Sequence, residues 1–328
     1  VKNTALSVLR DLLNKGIISD EQYIRIKDYQ EKKPFSVHGE LRTILYLGIL
    51  CLVSGLGVII YDHIDTIGHQ VMIAVIALIS AVGFFYAYKC SPPFSPGKPA
   101  HADAFAGFAL LLACSMFLVL EGYLQFQYSL FGTRYGLAAF VPMVVFFFCA
   151  YRFDHKGVLS MAVTSLASWL RLTIAPLSIV SENNFTDNRL IVTAIVLGMV
   201  LSLIALLSER KKLKQHFAFT YLLLGGNLGS AAALTGLLST DKMLFYILPA
   251  TAFPVFFVIR ARMTHSLIFL LMGVIYGYMV FTHLTIRLLP AFLFRSIEIY
   301  YFLFSSIGVV LFLLRYKIIL GKNEKSIQ

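Results

Sequence analysis

The chain has 328 residues, of which 58% are hydrophobic and 14% charged, well below the roughly 25% charge of a soluble domain. Mean hydropathy is +0.78, and the apolar residues fall in runs of roughly 18 to 22, long enough to cross a ~30 Å hydrocarbon core as helix. That pattern excludes an ordinary water-soluble fold, and the lack of short alternating segments excludes a membrane barrel. The net charge of +11 reads as Lys and Arg flanking membrane spans rather than as a nucleic-acid surface.

Residues 3–15 read as a short amphipathic helix, with Ala5, Leu6, Val8, Leu9, Leu12 and Leu13 on one side and Gly16 as its C-terminal stop. Ser19 is placed to cap a second helix, with Gln22 three positions on as in a capping box. Residues 1–38 are therefore expected to form a small soluble helical hairpin suited to docking on the cytoplasmic ends of the bundle or on a protein partner. The first 40 residues lack an apolar core segment, so no cleavable signal peptide is expected.

Residues 39–316 are expected to form an all-α, polytopic transmembrane bundle, followed by a basic tail, 317–328, at an anionic inner leaflet. About ten spans are predicted, at 41–61, 70–89, 104–123, 134–151, 157–175, 189–208, 217–237, 242–260, 265–284 and 296–315. Counted on alternate sides, 22 of the 28 Lys and Arg residues fall on one side and 6 on the other. Positive residues stay cytoplasmic during insertion, so both termini are expected in the cytoplasm. Connections are short and leave no room for a sizeable domain outside the bilayer.

The stretch Gly16-Ile17-Ile18-Ser19-Asp20-Glu21-Gln22, then Tyr29, then a glycine-rich first span from Leu47-Gly48 through Ser54-Gly55-Leu56-Gly57-Val58, carries a resemblance. So does the arrangement from Glu121-Gly122-Tyr123 through Gly136 and Arg152 to Trp169-Leu170. Over about its first 170 residues the chain resembles a bacterial family of polytopic membrane proteins catalogued as a domain of unknown function. Members often carry Asn-Trp after the first span and Gln near position 121, where this chain has Tyr61-Asp62-His63 and Glu121. The resemblance implies a bacterial inner-membrane location and brings no activity with it.

Ionisable groups within hydrocarbon cost about 2.5–3.5 kcal/mol each at a helix centre, so the few present are the candidates for chemistry. Glu121 lies near the outer end of the third span, with Gln125 one turn on; Arg171 lies in the outer half of the fifth span; Arg295 and Glu298 begin the tenth. Arg134, Arg287, Asp62, His63, Asp65 and His69 fall on the same side. Together they suggest an outward polar vestibule whose arginines hold an anionic substrate or lipid head group; the plainer alternative is interfacial residues that are hydrated or snorkelling. Glu121 and Arg171 pair if the third and fifth spans are neighbours.

Gly225-Gly226-Asn227-Leu228-Gly229-Ser230 in the seventh span suggests either a broken helix exposing Asn227 to a substrate or close packing by small residues. Pro142, Pro249 and Pro254 are expected to kink their spans, and Gly273 with Gly277 to serve packing. Neither the histidines nor Cys51, Cys90, Cys114 and Cys149 show metal-ligand or disulfide spacing, and no nucleotide motif is present, so no cofactor or metal is expected. Ser160, Ser165 and Ser168 have no base at useful spacing and are expected to bond backbone carbonyls.

Three functions fit. One is a transporter or flippase-like protein for a small solute or lipid-linked group. The second is an accessory protein that recruits a partner through residues 1–33. The third, an intramembrane lipid-modifying enzyme using Glu121 and an outer arginine, has one acid and no matched base.

Overall fold

The computed structural model describes residues 12–13, 16–32, 38–92, 94, 104–132, 134–174, 187–239 and 243–316. The amphipathic helix expected at 3–15 and the tail at 317–328 lie almost wholly outside them. Among the described residues there is no strand. The chain divides into two compact units between Leu50 and Cys51.

In the first unit, the amides of Gly16 and Ile17 donate to the carbonyls of Leu13 and Leu12 at 2.9 and 3.1 Å. With Gly16 at φ +67°, this is the helix stop that a glycine makes by entering the left-handed region. Helix α1 (Asp20–Lys32) begins in the expected capping box. The Ser19 amide donates to Gln22 Oε1 at 3.0 Å and the Gln22 amide to Ser19 Oγ at 3.3 Å.

The ten predicted spans fall on ten successive helices: α2 (His38–Ile67), α3 (His69–Cys90), α4 (Ala104–Tyr128), α5 (Tyr135–Phe153), α6 (Lys156–Ile174), α7 (Asn188–Arg210), α8 (Ala218–Ser239), α9 (Met243–Thr264), α10 (Leu267–Leu288) and α11 (Ala291–Leu314). Eight of them, α3 to α10, are long and apolar enough to cross a membrane, while the apolar stretches described in α2 and α11 are Thr43–Val58 and Glu298–Leu314. Side chains such as Leu244, Phe126 and Ile299 stand 89, 83 and 81% exposed. So much bare hydrocarbon suits lipid as the surrounding medium, where it carries no penalty.

In the second unit, α3 packs on α4, α5 on α6, α7 on α8 and α9 on α10, and α8 also touches α6, α9 and α10. Helix α8 is consequently the buried centre, and its glycines set the spacing. A Cβ on Gly198 of α7 would lie 2.6 Å from the carbonyl oxygen of Gly225 and 2.7 Å from Cα of Gly229. A Cβ on Gly226 or Gly229 would fall inside the rings of Phe257 and Phe253 of α9, at 1.9 and 2.4 Å from Cζ. The glycine cluster therefore buys close approach. Helix α8 runs unbroken through it, so the discontinuous helix considered from sequence does not form. Gly273 packs in the same manner against Val258 and Pro254 of α9. Helices α5 and α9 persist through Pro142, Pro249 and Pro254.

Candidate functional site

Among the described residues, Glu121, Gln125, Asn227 and Arg171 meet four different surroundings. Glu121 continues the stripe Leu110–Cys114–Phe117 along α4, at helical spacings that place all four on one face. Leu110 and Cys114 are buried in the main core, and Phe117 sits edge-on to Phe146 of α5. Glu121 is 5% exposed, and among the described residues neither carboxylate oxygen has a hydrogen-bond partner. It accepts nothing from Arg171, so the pairing entertained from sequence is not made.

Gln125 follows one turn later on the same helix, but its amide is committed elsewhere. Its Oε1 accepts from the Phe131 amide at 2.9 Å and its Nε2 donates to the Gly132 carbonyl at 3.1 Å. Gln125 thus clamps the α4–α5 turn, which is why α4 extends to Tyr128 rather than fading at residue 123. Nearby, His69 Nδ1 lies 2.7 Å from the Tyr123 hydroxyl and Nε2 lies 3.4 Å from Gln127 Nε2. This joins the start of α3 to the end of α4. The side chains of Asp62, His63, Asp65 and Arg295 lie outside those described. Glu298 is exposed, as are Arg134 and Arg287. Asn227 points from α8 toward α10, where its Oδ1 accepts from the Tyr276 hydroxyl.

Arg171 lies beside open space. It lines a cavity of about 360 Å³ between α6, α7 and α8. The walls are apolar, formed chiefly by Ala167, Leu170, Ala194, Leu197, Leu228 and Ala232. Its hydroxyls are largely spent. Thr164 donates to the Ser160 carbonyl, Thr193 to that of Arg189 and Thr235 to that of Ala231, at 2.9, 2.8 and 2.9 Å. Outside the lining, Ser160 bonds the Lys156 carbonyl at 3.1 Å.

At the opposite helix ends lies a buried ionic cluster that sequence reading missed. Asp154, in the left-handed region after α5, receives Lys214 Nζ at 2.9 Å and lies 2.6 Å from His216 Nε2, all through Oδ1. The Lys214 and Asp154 side chains are 3 and 8% exposed. The ammonium stands over the rings of Phe94 and Phe217, 5.0 and 5.9 Å from their centroids. Glu209 of α7 pairs with Arg260 of α9 beside it. In sequence these are ordinary charges flanking spans, and nothing local marks Lys214 as buried. Among the described residues no group of three His, Cys, Asp or Glu residues is placed to hold a metal. All four cysteines are free, with Cys114 and Cys149 buried.

Residues 10–159 match the model of a family described as predicted membrane protein (DUF2157). No curated protein and no solved structure matches the chain. The resemblance read from the first 170 residues thus has its counterpart in a family of unknown function. The matched region contains Glu121, Gln125 and Asp154; it ends early in α6, before Arg171 and the cavity.

Proposed function

We propose that this integral membrane protein is a transporter or flippase-like carrier that accepts a small solute or lipid-linked group between α6, α7 and α8. The cavity beside Arg171 is the observation that supports this, since concave, mostly apolar sites with one or two placed polar groups are where small ligands bind. Its volume of about 360 Å³ is at the lower end of the ~300–1,000 Å³ usual for such sites. The test is translocation of a fluorescent phospholipid in proteoliposomes, read by dithionite quenching of the outer leaflet. The wild type should exceed protein-free vesicles, and filling the cavity with Ala194→Phe should return the rate to background. Equal rates in all three preparations would defeat the flippase-like form of this reading.

A second reading, an accessory protein, is favoured by exposed apolar residues in the first unit. Ile17, Ile24 and Ile26 are 65, 63 and 38% exposed, and such residues on and just before the capped helix α1 suit a protein partner. Deleting residues 1–33 should then abolish function while leaving the bundle folded and lipid translocation absent. In both readings the protein sits in a bacterial inner membrane with both termini cytoplasmic. Cys90 is exposed at the end of α3. An impermeant maleimide should label a variant retaining Cys90 as its sole cysteine in inverted vesicles and not in intact spheroplasts; the reverse pattern would overturn the orientation.

A further inference from the structure

We propose that Cys114 of α4 and Cys149 of α5 form a dithiol that lipid-soluble quinones oxidise to a disulfide. Cys51 and Cys90 are exposed, whereas Cys114 and Cys149 are 0 and 5% exposed and hydrogen-bonded to each other through their side chains. The helix register accounts for the meeting. Helices α4 and α5 pack on each other and are joined by the short turn that Gln125 clamps, so they run antiparallel. Phe117 meets Phe146 edge-on, with ring centroids 6.3 Å apart. Three residues back along α4 and three onward along α5 lead toward the same end, about 4.5 Å away, and reach Cys114 and Cys149. The i,i+3 spacing keeps each cysteine on the face that its phenylalanine uses.

The surroundings decide which chemistry the pair can do. Both sulfurs sit in the apolar core with Leu110, Phe146 and Ala150. Dithiol and disulfide are both uncharged, so either state suits that core. A monovalent soft cation held by two thiolates would leave a net negative charge there, which is costly without a partner. Helices packed about 8–10 Å apart, with Cα atoms at a radius of about 2.3 Å, leave facing Cα atoms roughly 3.5–5.5 Å apart. That range overlaps the ~4.4–6.8 Å that a disulfide spans. Oxidation breaks two S–H bonds and forms one Sγ–Sγ bond; the two electrons and two protons pass to the quinone, which leaves as hydroquinone. Water-borne partners are shut out. Glutathione and thioredoxin keep exposed thiols reduced, but they act by direct attack on sulfur, and a pair this enclosed does not admit them. Phe148, next to Cys149 in sequence, is 68% exposed, so lipid reaches the residue adjoining the pair. The redox partner therefore arrives dissolved in hydrocarbon, and quinones are a membrane-soluble class that takes up two electrons with two protons.

The full chain carrying Cys51→Ser and Cys90→Ser would be reconstituted in liposomes without oxygen and given a short-chain ubiquinone. Thiols would be counted by mass after denaturation and tagging with N-ethylmaleimide, and hydroquinone by absorbance. The untreated protein should take a tag on both remaining cysteines, and the quinone-treated protein on neither, with hydroquinone formed in equimolar amount. Dithiothreitol added after denaturation should return both tags. Glutathione disulfide at equal concentration should act at least about tenfold more slowly. Cys114→Ser and Cys149→Ser, each melting like the parent, should form no hydroquinone. Peptide mapping of the oxidised parent should find Cys114 joined to Cys149 within one chain, which decides the matter even where a serine variant does not fold. Persistence of both tags after quinone treatment refutes the site. So does a quinone left covalently attached, a bridge between two chains, hydroquinone made by a folded single variant, or glutathione disulfide reacting as fast as the quinone.

Discussion

Replacing Gly198 with Ala tests whether the α7–α8 crossing is as close as the structure places it. The new methyl would meet backbone, with the Gly225 carbonyl oxygen at 2.6 Å and the Gly229 Cα at 2.7 Å, so no side chain can swing aside to make room. Comfortable carbon contacts lie at about 3.5–4.0 Å, and the helices must separate by roughly 1 Å. A gap of that size forfeits a quarter to a half of each dispersion contact, individually worth about 0.1–0.2 kcal/mol. Across an interface of several dozen atom pairs the loss is about 2–3 kcal/mol, in the range measured for overpacked cores. In lipid there is no hydrophobic term to offset it, because the tails are as apolar as the helices.

The assay is reversible unfolding by SDS in mixed micelles, followed by circular dichroism. Gly198→Ala should shift the unfolding equilibrium roughly fiftyfold, at 1.4 kcal/mol per factor of ten. The control is Gly122→Ala on α4, where a Cβ would meet nothing within 4 Å; there alanine should be neutral or stabilise by up to about 1 kcal/mol through helix propensity. If the two variants unfold within about 0.5 kcal/mol of one another, the close crossing and the role assigned to the glycines are both wrong.

Asp154→Asn should cost about 3–5 kcal/mol, because it strands the buried Lys214 ammonium without its carboxylate; adding Lys214→Met should restore most of the loss, as read by melting temperature. Gln125→Ala removes two hydrogen bonds to the α4–α5 turn and should cost about 1–3 kcal/mol, with faster amide exchange confined to residues 128–134. Glu121→Leu should leave stability unchanged or raise it, since no hydrogen bond is lost and a buried polar group is removed. A drop of more than about 1 kcal/mol in the same SDS titration would reveal a partner for the carboxyl.

Features governed by neighbours in sequence were legible in advance. The Gly16 stop and the Ser19–Gln22 box depend on residues within a few positions of each other, and each formed as its spacing required. The spans were legible because hydropathy over a helix length is also a local quantity. What failed to show was every feature set by a residue on another helix. The glycine cluster of α8 reads equally as a break or a contact until Gly198, Phe253 and Phe257 are known to face it. Gln125 read as a candidate beside Glu121 because its partners lie beyond the next turn. Lys214 belongs to a run of cations flanking a span, and its burial depends on Asp154, sixty positions upstream. Arg171 and Glu121 were both picked out as ionisable groups within spans, yet α6 turns Arg171 toward α7 and α8 while α4 buries Glu121.

The polar groups of the second unit divide along the bundle axis. At one end the Lys214–Asp154–His216 cluster ties the α5–α6 turn to the segment joining α7 and α8, and Glu209–Arg260 ties α7 to α9. At the other end of these helices α6, α7 and α8 part around the cavity, which Arg171 lines. Between the two lies the glycine crossing. Gly198 follows Leu197 and Gly229 follows Leu228, and both leucines line the cavity. The crossing is therefore the floor of the opening, and the ion pairs are the anchor beneath it. Helices pinned at one end and in backbone contact at mid-length can change separation only above that contact. The glycines thus serve the site by fixing where the opening begins, and need supply no ligand to do so. Prising the crossing apart with Gly198→Ala should accordingly alter translocation as well as stability, whereas Asp154→Asn, acting a full half-helix below, should lower stability and leave the translocation rate of any folded protein intact.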